Sequence, residues 1–144
     1  MMAYWLLKSE PDAWSWDQQV RKGAKGEPWT GVRNHSAKQN LMKMKTGERA
    51  FFYHSGVGRA IVGILEVVRA PYPDPTDPTA AFVAVDVRAV EPLPKPVALA
   101  DIKAEPRLAE MALLRHSRLS VQRVTAAQWK LICRMGGLNG GAGR

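Results

Sequence analysis

The stretch Trp29-Thr30-Gly31-Val32-Arg33-Asn34, followed by Ser36-Ala37-Lys38, puts an aromatic face, a tight glycine turn, a cation, an amide and a helix start within a few residues. An aromatic face can stack on a planar ring, and a nucleobase held this way gains about 1–3 kcal/mol. Short polar side chains at strand or helix ends can read the edge of such a ring by hydrogen bonds. Ser9, Asn34, Ser55 and Ser120 are of that kind. Together with Trp29 they describe one wall and the rim of a pocket for a flat, polar ring. Trp14, Trp16 and Tyr53 add aromatic surface near strand ends and loops. Packing offers a competing use for several of these residues. Trp14 and Trp16 can staple a first helix, Trp29 can plug the space beneath a second, and Ser and Asn form turns and caps.

Catalytic chemistry is poorly supplied. The histidines are His35, His54 and His116, and no Gly-x-Ser-x-Gly elbow accompanies them. Cys133, beside Leu131 and Ile132, reads as a small core residue of a final helix. No histidine pair has metal-ligand spacing with a carboxylate partner, so zinc is not expected. Walker-type and dinucleotide glycine loops are absent, and Gly56-Val57-Gly58 reads as a hairpin turn. The chain is therefore read as a non-enzyme with no cofactor. An enzyme on a nucleotide or small molecule, using His54 or Glu10 as general base, stands as an alternative.

Charge adds a partner. The formal net charge is +8, and it is unevenly spread. Residues 1–17 carry −2, residues 18–49 carry +6, residues 50–101 carry −2 and residues 102–144 carry +6. Two basic blocks converging on one face would form a footprint for a polyanion. No run of apolar residues is long enough to span a membrane. The N-terminal Met1-Met2-Ala3-Tyr4-Trp5 lacks the pattern of a signal peptide. A cytoplasmic location, associated with the nucleoid in a bacterium, is expected, with no membrane partner and a monomer favoured.

The elements that must position these residues follow from periodicity and punctuation. Ala3–Lys8 reads as a buried strand ended by Ser9-Glu10-Pro11. Ser15-Trp16-Asp17-Gln18 has capping-box spacing, which predicts a short helix from Trp16 to about Arg21. Residues 22–28 read as a loop. Asn34-His35-Ser36 can cap a second helix whose apolar face is Ala37, Leu41 and Met44, with Lys38, Lys43 and Lys45 outside. Arg49–His54 and Arg59–Arg69 read as strands, with Gly63 as a bend or bulge in the second. Residues 71–78 read as a loop, Phe82–Val90 as a half-buried strand, and Pro92, Pro94 and Pro96 as a further connection. Short helical turns follow near Leu99–Lys103 and Leu108–Ala112. Arg118–Val124 is a short strand entering a second capping box, Thr125-Ala126-Ala127-Gln128, and a last helix bears Trp129 and Ile132. Residues 1–138 form one domain and 139–144 a disordered glycine-rich tail. The fold class is α+β: a small mixed β-barrel of about five to six strands with peripheral short helices.

Five segments in order resemble the signature of the EVE domain family. They are Trp5–Pro11, Trp29–Asn34, Phe51–Ser55, Ile61–Ile64 and Arg118–Gln122, and the resemblance covers nearly the whole chain. It implies a PUA-like barrel, similar to YTH domains that read methylated adenine in RNA. It also implies a reader of a modified base, 5-methylcytosine or 5-hydroxymethylcytosine in DNA above all, flipped into an aromatic pocket. On this chain the pocket residues so implied are Trp29, Lys8, Ser9, Glu10, Asn34, Tyr53, His54, Ser55, Arg118, Leu119 and Ser120. Arg33, Lys38, Lys43 and Lys45 would then hold phosphates. Arg123 stands where the family often has proline. A PUA-type module acting on tRNA or another structured RNA is the alternative partner reading.

Overall fold

The structure, a computed structural model, describes residues 2–138; the glycine-rich tail expected at 139–144 lies outside the described residues. One six-stranded mixed sheet forms the body. Its strands are β1 (Tyr4–Ser9), β2 (Glu27–Trp29), β3 (Arg49–His54), β4 (Ala60–Pro73), β5 (Val83–Ala98) and β6 (Val121–Val124). Their order across the sheet is β2-β5-β4-β3-β1-β6. β1 and β3 are parallel and all other pairs antiparallel. A parallel pair needs a crossover. Here the crossover contains α1 (Trp16–Arg21), β2 and α2 (His35–Met42), the region that holds the candidate site. α2 packs on β6, β5 and β4, bridging the curled sheet. Its Asn40 side chain donates to the Val121 carbonyl at 2.7 Å, which occupies part of the open edge of β6. Among the described residues no helix is long and apolar enough to cross a membrane.

The two-residue period of the strands sorts side chains into two cores. Leu6, Phe51 and Tyr53 join Ile102, Leu108, Trp129 and Cys133 beneath the C-terminal helices α3 (Leu99–Ala104), α4 (Ala112–Arg115) and α5 (Ala126–Met135). Trp129 stacks on Phe51 at 3.9 Å and on Tyr4 at 4.4 Å. Trp5, Leu7 and Phe52 join Trp16, Trp29, Ala37 and Leu41 on the other face. Glu48, itself buried, ties the second core's margin together by accepting from the Ala3 and Lys45 amides and the Trp5 indole.

Most local signals are realised. Ser15 and Thr125 complete capping boxes, and Asn34 caps α2 over the buried Ala37, Leu41 and Met44. Three expectations are corrected. Glu27–Trp29 is a strand rather than the end of a loop, because it pairs with Val85–Val87 of β5. β4 continues to Pro73, paired there with Val83. The connection expected at Pro92–Pro96 is part of β5. The register jumps from Ile61–Val97 to Gly63–Pro92, so Pro94 and Pro96 lie in a bulge that asks for no ladder donors. The Lys95 amide donates instead to the Gly136 carbonyl at 3.0 Å.

Gly63 at that bulge admits a ring. A Cβ there would lie 2.4 Å from the Trp16 indole. Trp16 in turn meets Phe52 edge-on at 5.5 Å. Gly63→Ala should therefore cost about 1–3 kcal/mol by overpacking. Gly56→Ala, at a left-handed turn with nothing near, should cost about 1 kcal/mol through backbone strain alone. Urea unfolding of the two variants checks the order; an equal or reversed cost would contradict it.

Candidate functional site

Two tryptophans arrive at one cavity by separate local devices. At the end of β1 the Glu10 carbonyl accepts from the Ala13 and Trp14 amides at 3.0 and 2.9 Å. The Ser9 hydroxyl donates to the Trp14 carbonyl, closing the turn. The Trp14 indole N–H donates to Gln19 Oε1 at 2.9 Å, and Gln19, fully buried on α1, donates to the Val87 carbonyl at 3.0 Å. Trp14 is thereby referenced to β5.

Trp29 is referenced to the same strand segment, since β2 pairs with Val85–Val87. The entry needs glycine, because a Cβ on Gly26 would lie 2.4 Å from the Val87 carbonyl oxygen. Trp29 is only 8% exposed, and its edge-on contact with Phe52 at 5.6 Å roots the ring in the core. It is core and pocket wall at once.

Beyond Trp29 the chain turns at Gly31, φ 84°, whose amide donates to Asp74 Oδ2 at 2.9 Å. The Asp74 side chain is fully buried. It also accepts from Arg33 Nη1 at 2.9 Å and from the Thr76 amide and hydroxyl at 2.7 Å. Burial pushes this carboxyl up, but the donations from Thr76, Gly31 and Arg33 outweigh it and hold the pKa at about 2.

The resulting cavity measures about 380 Å³. Of the residues expected at the pocket, Lys8, Ser9, Glu10 and Trp29 line it, joined by Ala13, Trp14, Glu27, Pro28 and Thr30. Trp14 carries two readings in the sequence and Thr30 belongs to the stretch read as a wall; Ala13, Glu27 and Pro28 are additions of the structure. The signal for Glu27 and Pro28 was adjacency to Trp29, masked by the Gly26 and Pro28 punctuation that reads as loop.

Of the other expected residues, Tyr53–Ser55 and Arg118–Ser120 meet the end of β1 without lining the cavity, and Asn34 lies apart at the start of α2. The Ser55 amide donates to the Ser9 carbonyl and the Lys8 amide to the Ser120 carbonyl, both at 2.9 Å. Tyr53 turns to the opposite core, 3% exposed, with Lys8 Nζ 5.9 Å from its ring centre. Burial raises the Tyr53 phenol, with Arg59 opposing, and lowers the Lys8 ammonium. His54 Nε2 accepts from the Trp16 amide at 3.1 Å; burial lowers its pKa, with Asp17 opposing. Asn34 Oδ1 accepts the Ala37 amide of the α2 cap at 2.9 Å. Arg118 is exposed, and Leu119 packs on the second core. The Leu119 carbonyl accepts from buried Gln122 at 2.9 Å. Arg123 lies over the Trp5 ring, away from the cavity lining.

Of the expected phosphate contacts, Arg33 precedes α2 and Lys38 lies on it, while the Lys45 amide donates to Glu48 at the start of β1, the strand end away from Ser9. Arg33 and Lys38 both lie over the Phe82 ring, at 5.6 and 5.9 Å. Arg33 is also engaged with Asp74 and Thr76, yet its side chain keeps 40% exposure. Lys43 and Lys45 are exposed beyond the helix end. The arrangement can stack a planar ring against indole walls, offer acceptors at its rim and hold anions alongside.

Comparison with known proteins agrees with this geometry. The EVE domain family profile matches residues 3–135. Rpa0253 from Rhodopseudomonas palustris is 64% identical, with a TM-score of 0.91 over 96% of this chain and 95% of that one. Human thymocyte nuclear protein 1 is 30% identical over 92% of this chain and 73% of its own length. Its structure in complex with 5-methylcytosine-containing DNA superposes with a TM-score of 0.87, covering 94% of this chain and 98% of that chain at 28% identity. The YTH domain of Zygosaccharomyces rouxii MRB1, solved with N6-methyladenosine RNA, shares the fold at a TM-score of 0.55 and 19% identity, over 93% and 83% of the two chains.

The Asp74 clamp has a pH signature. Its folded pKa of about 2 lies below the ordinary 3.8, so the folded state binds fewer protons than the unfolded one. Its stabilisation is complete above the unfolded pKa and is lost as pH falls through about 2. Asp74→Ala, which strands the Gly31 and Thr76 amides, should cost about 2–3 kcal/mol at neutral pH. Denaturant midpoints at pH 7 and pH 2 should show the gap between wild type and variant narrowing in acid. A constant gap would contradict the clamp.

Proposed function

The chain belongs to the EVE domain family, and from that premise we propose that it is a non-catalytic reader of a modified cytosine in DNA, taking the flipped base into the Trp14–Trp29 cavity. The carrying observation is that cavity, about 380 Å³ and lined by two indoles, in a chain whose human relative is solved with 5-methylcytosine DNA. Its size falls in the range of small-ligand pockets. Flipping costs a few kcal/mol. Stacking at about 1–3 kcal/mol per base, rim hydrogen bonds and phosphate contacts offset it.

The rim favours cytosine over a keto pyrimidine. Glu10 and Glu27 line the cavity, and an ionised carboxylate only accepts hydrogen bonds. Cytosine offers an exocyclic amino donor where thymine offers a carbonyl. A methyl group adds only a small apolar increment, so preference over plain cytosine should be modest, about tenfold or less. In this reading Ser9, Glu10 and Trp29 contact the base with Trp14 and Glu27. The ends at Tyr53–Ser55 and Arg118–Ser120 hold β1 in place, and Arg33, Lys38, Lys43 and Lys45 take phosphates. The position of His54 supports a non-enzymatic role, because its Nε2 lone pair is taken by the Trp16 amide.

Binding to matched oligonucleotides at fixed salt tests the reading. Methylated DNA should bind more tightly than unmodified DNA or RNA of the same sequence. Trp14→Ala and Trp29→Ala should each weaken methylated DNA binding about tenfold or more while the fold persists by circular dichroism. Preference for structured RNA, or full binding by both variants, would overturn it.

A further inference from the structure

The turn joining β3 to β4 presents an exposed apolar side chain, and its first residue, Ser55, is bonded to the end of β1. Val57 is 99% exposed. It sits between Gly56 and Gly58, which adopt φ of 78° and 72°. The turn is held at its base, where Arg59 Nε donates to the Gly56 carbonyl at 3.2 Å. Its two ends are anchored as well. The Ser55 amide donates to the Ser9 carbonyl at 2.9 Å, and the Leu99 amide to the Arg59 carbonyl at 3.0 Å. Ser9 lines the cavity, so the tip stands two residues from Ser55, whose amide is bonded to the strand end that borders the base site.

A β-branched apolar residue on a held tip contributes nothing to either core. It does suit a gap in a base stack. Removing a base from a duplex leaves such a gap, and proteins that unstack DNA insert small apolar wedges between base steps. We propose that Val57 is the wedge that enters the duplex where the base bound by Trp29 has left, with the exposed Arg59 at a flanking phosphate. The proposal rests on the base-flipping reading. It adds a duplex-specific contact made by a residue outside the cavity.

The test compares the full chain with Val57→Ala and Val57→Leu by fluorescence anisotropy at fixed salt. Each is titrated into a duplex carrying one 5-methylcytosine, into the same strand alone, and into the unmethylated form of that strand. A single strand has no stack to fill. Val57→Ala should weaken duplex binding about tenfold and single-strand binding less than about twofold. Val57→Leu should retain duplex binding within about threefold. Equal effects on both substrates, or no effect on the duplex, would overturn the wedge and leave the cavity reading standing if Trp29-dependent single-strand binding persists. A wild type blind to methylation on the single strand would sink the cavity reading and the wedge with it.

Discussion

The cavity depends on one buried carboxylate. Asp74 lies at the end of the β4 arm, far in sequence from the turn it holds, and receives donors from Gly31, Arg33 and Thr76. A buried charge is tolerable only when its lone pairs are engaged. The site exploits that requirement: the groups that satisfy Asp74 are those that set the path of the chain after Trp29. The opposite wall obeys the same logic with a neutral group, since buried Gln19 links the Trp14 indole to Val87. Both walls are therefore fixed to Val85–Val87 and the hairpin around it, which makes the cavity a preorganised feature of the sheet.

The sheet separates stability from recognition by its alternation. One face is closed by the Trp129 stack and the C-terminal helices. The other carries Trp5, Leu7 and Phe52 and, at its end, Ser9 beside the cavity. That period explains Tyr53. It belongs to the same strand end as His54 and Ser55, but faces the structural core and acts through packing.

What the sequence disclosed was local or carried by resemblance. Ser15, Asn34 and Thr125 announced their caps because a cap is read within three residues. Gly63 announced a bulge because glycine inside an Ile/Val run has few other uses. The element pattern pointed to a small mixed barrel, the residues around Trp29 singled it out, and the EVE resemblance added the class of ligand. What stayed hidden was long-range. Gly31 and Asp74 are 43 positions apart, and Asp74 sits between prolines in a segment that reads as loop. β2 is strand only because β5 lies beside it. Arg33 next to a lysine-bearing helix suggests a phosphate contact, while its engagement with Asp74 becomes visible only in three dimensions. Trp14 could not be told from a staple until the Glu10 turn and Gln19 showed how it is held.

The central claim is that this cavity receives a base removed from a duplex. The most direct measurement is a crystal structure of the chain with a short duplex carrying one 5-methylcytosine. The account predicts the methylated base outside the helix, in the cavity against Trp14 and Trp29, with its amino group toward Glu10 or Glu27. A methylated base still paired and stacked, with the protein gripping only the phosphates, would contradict it.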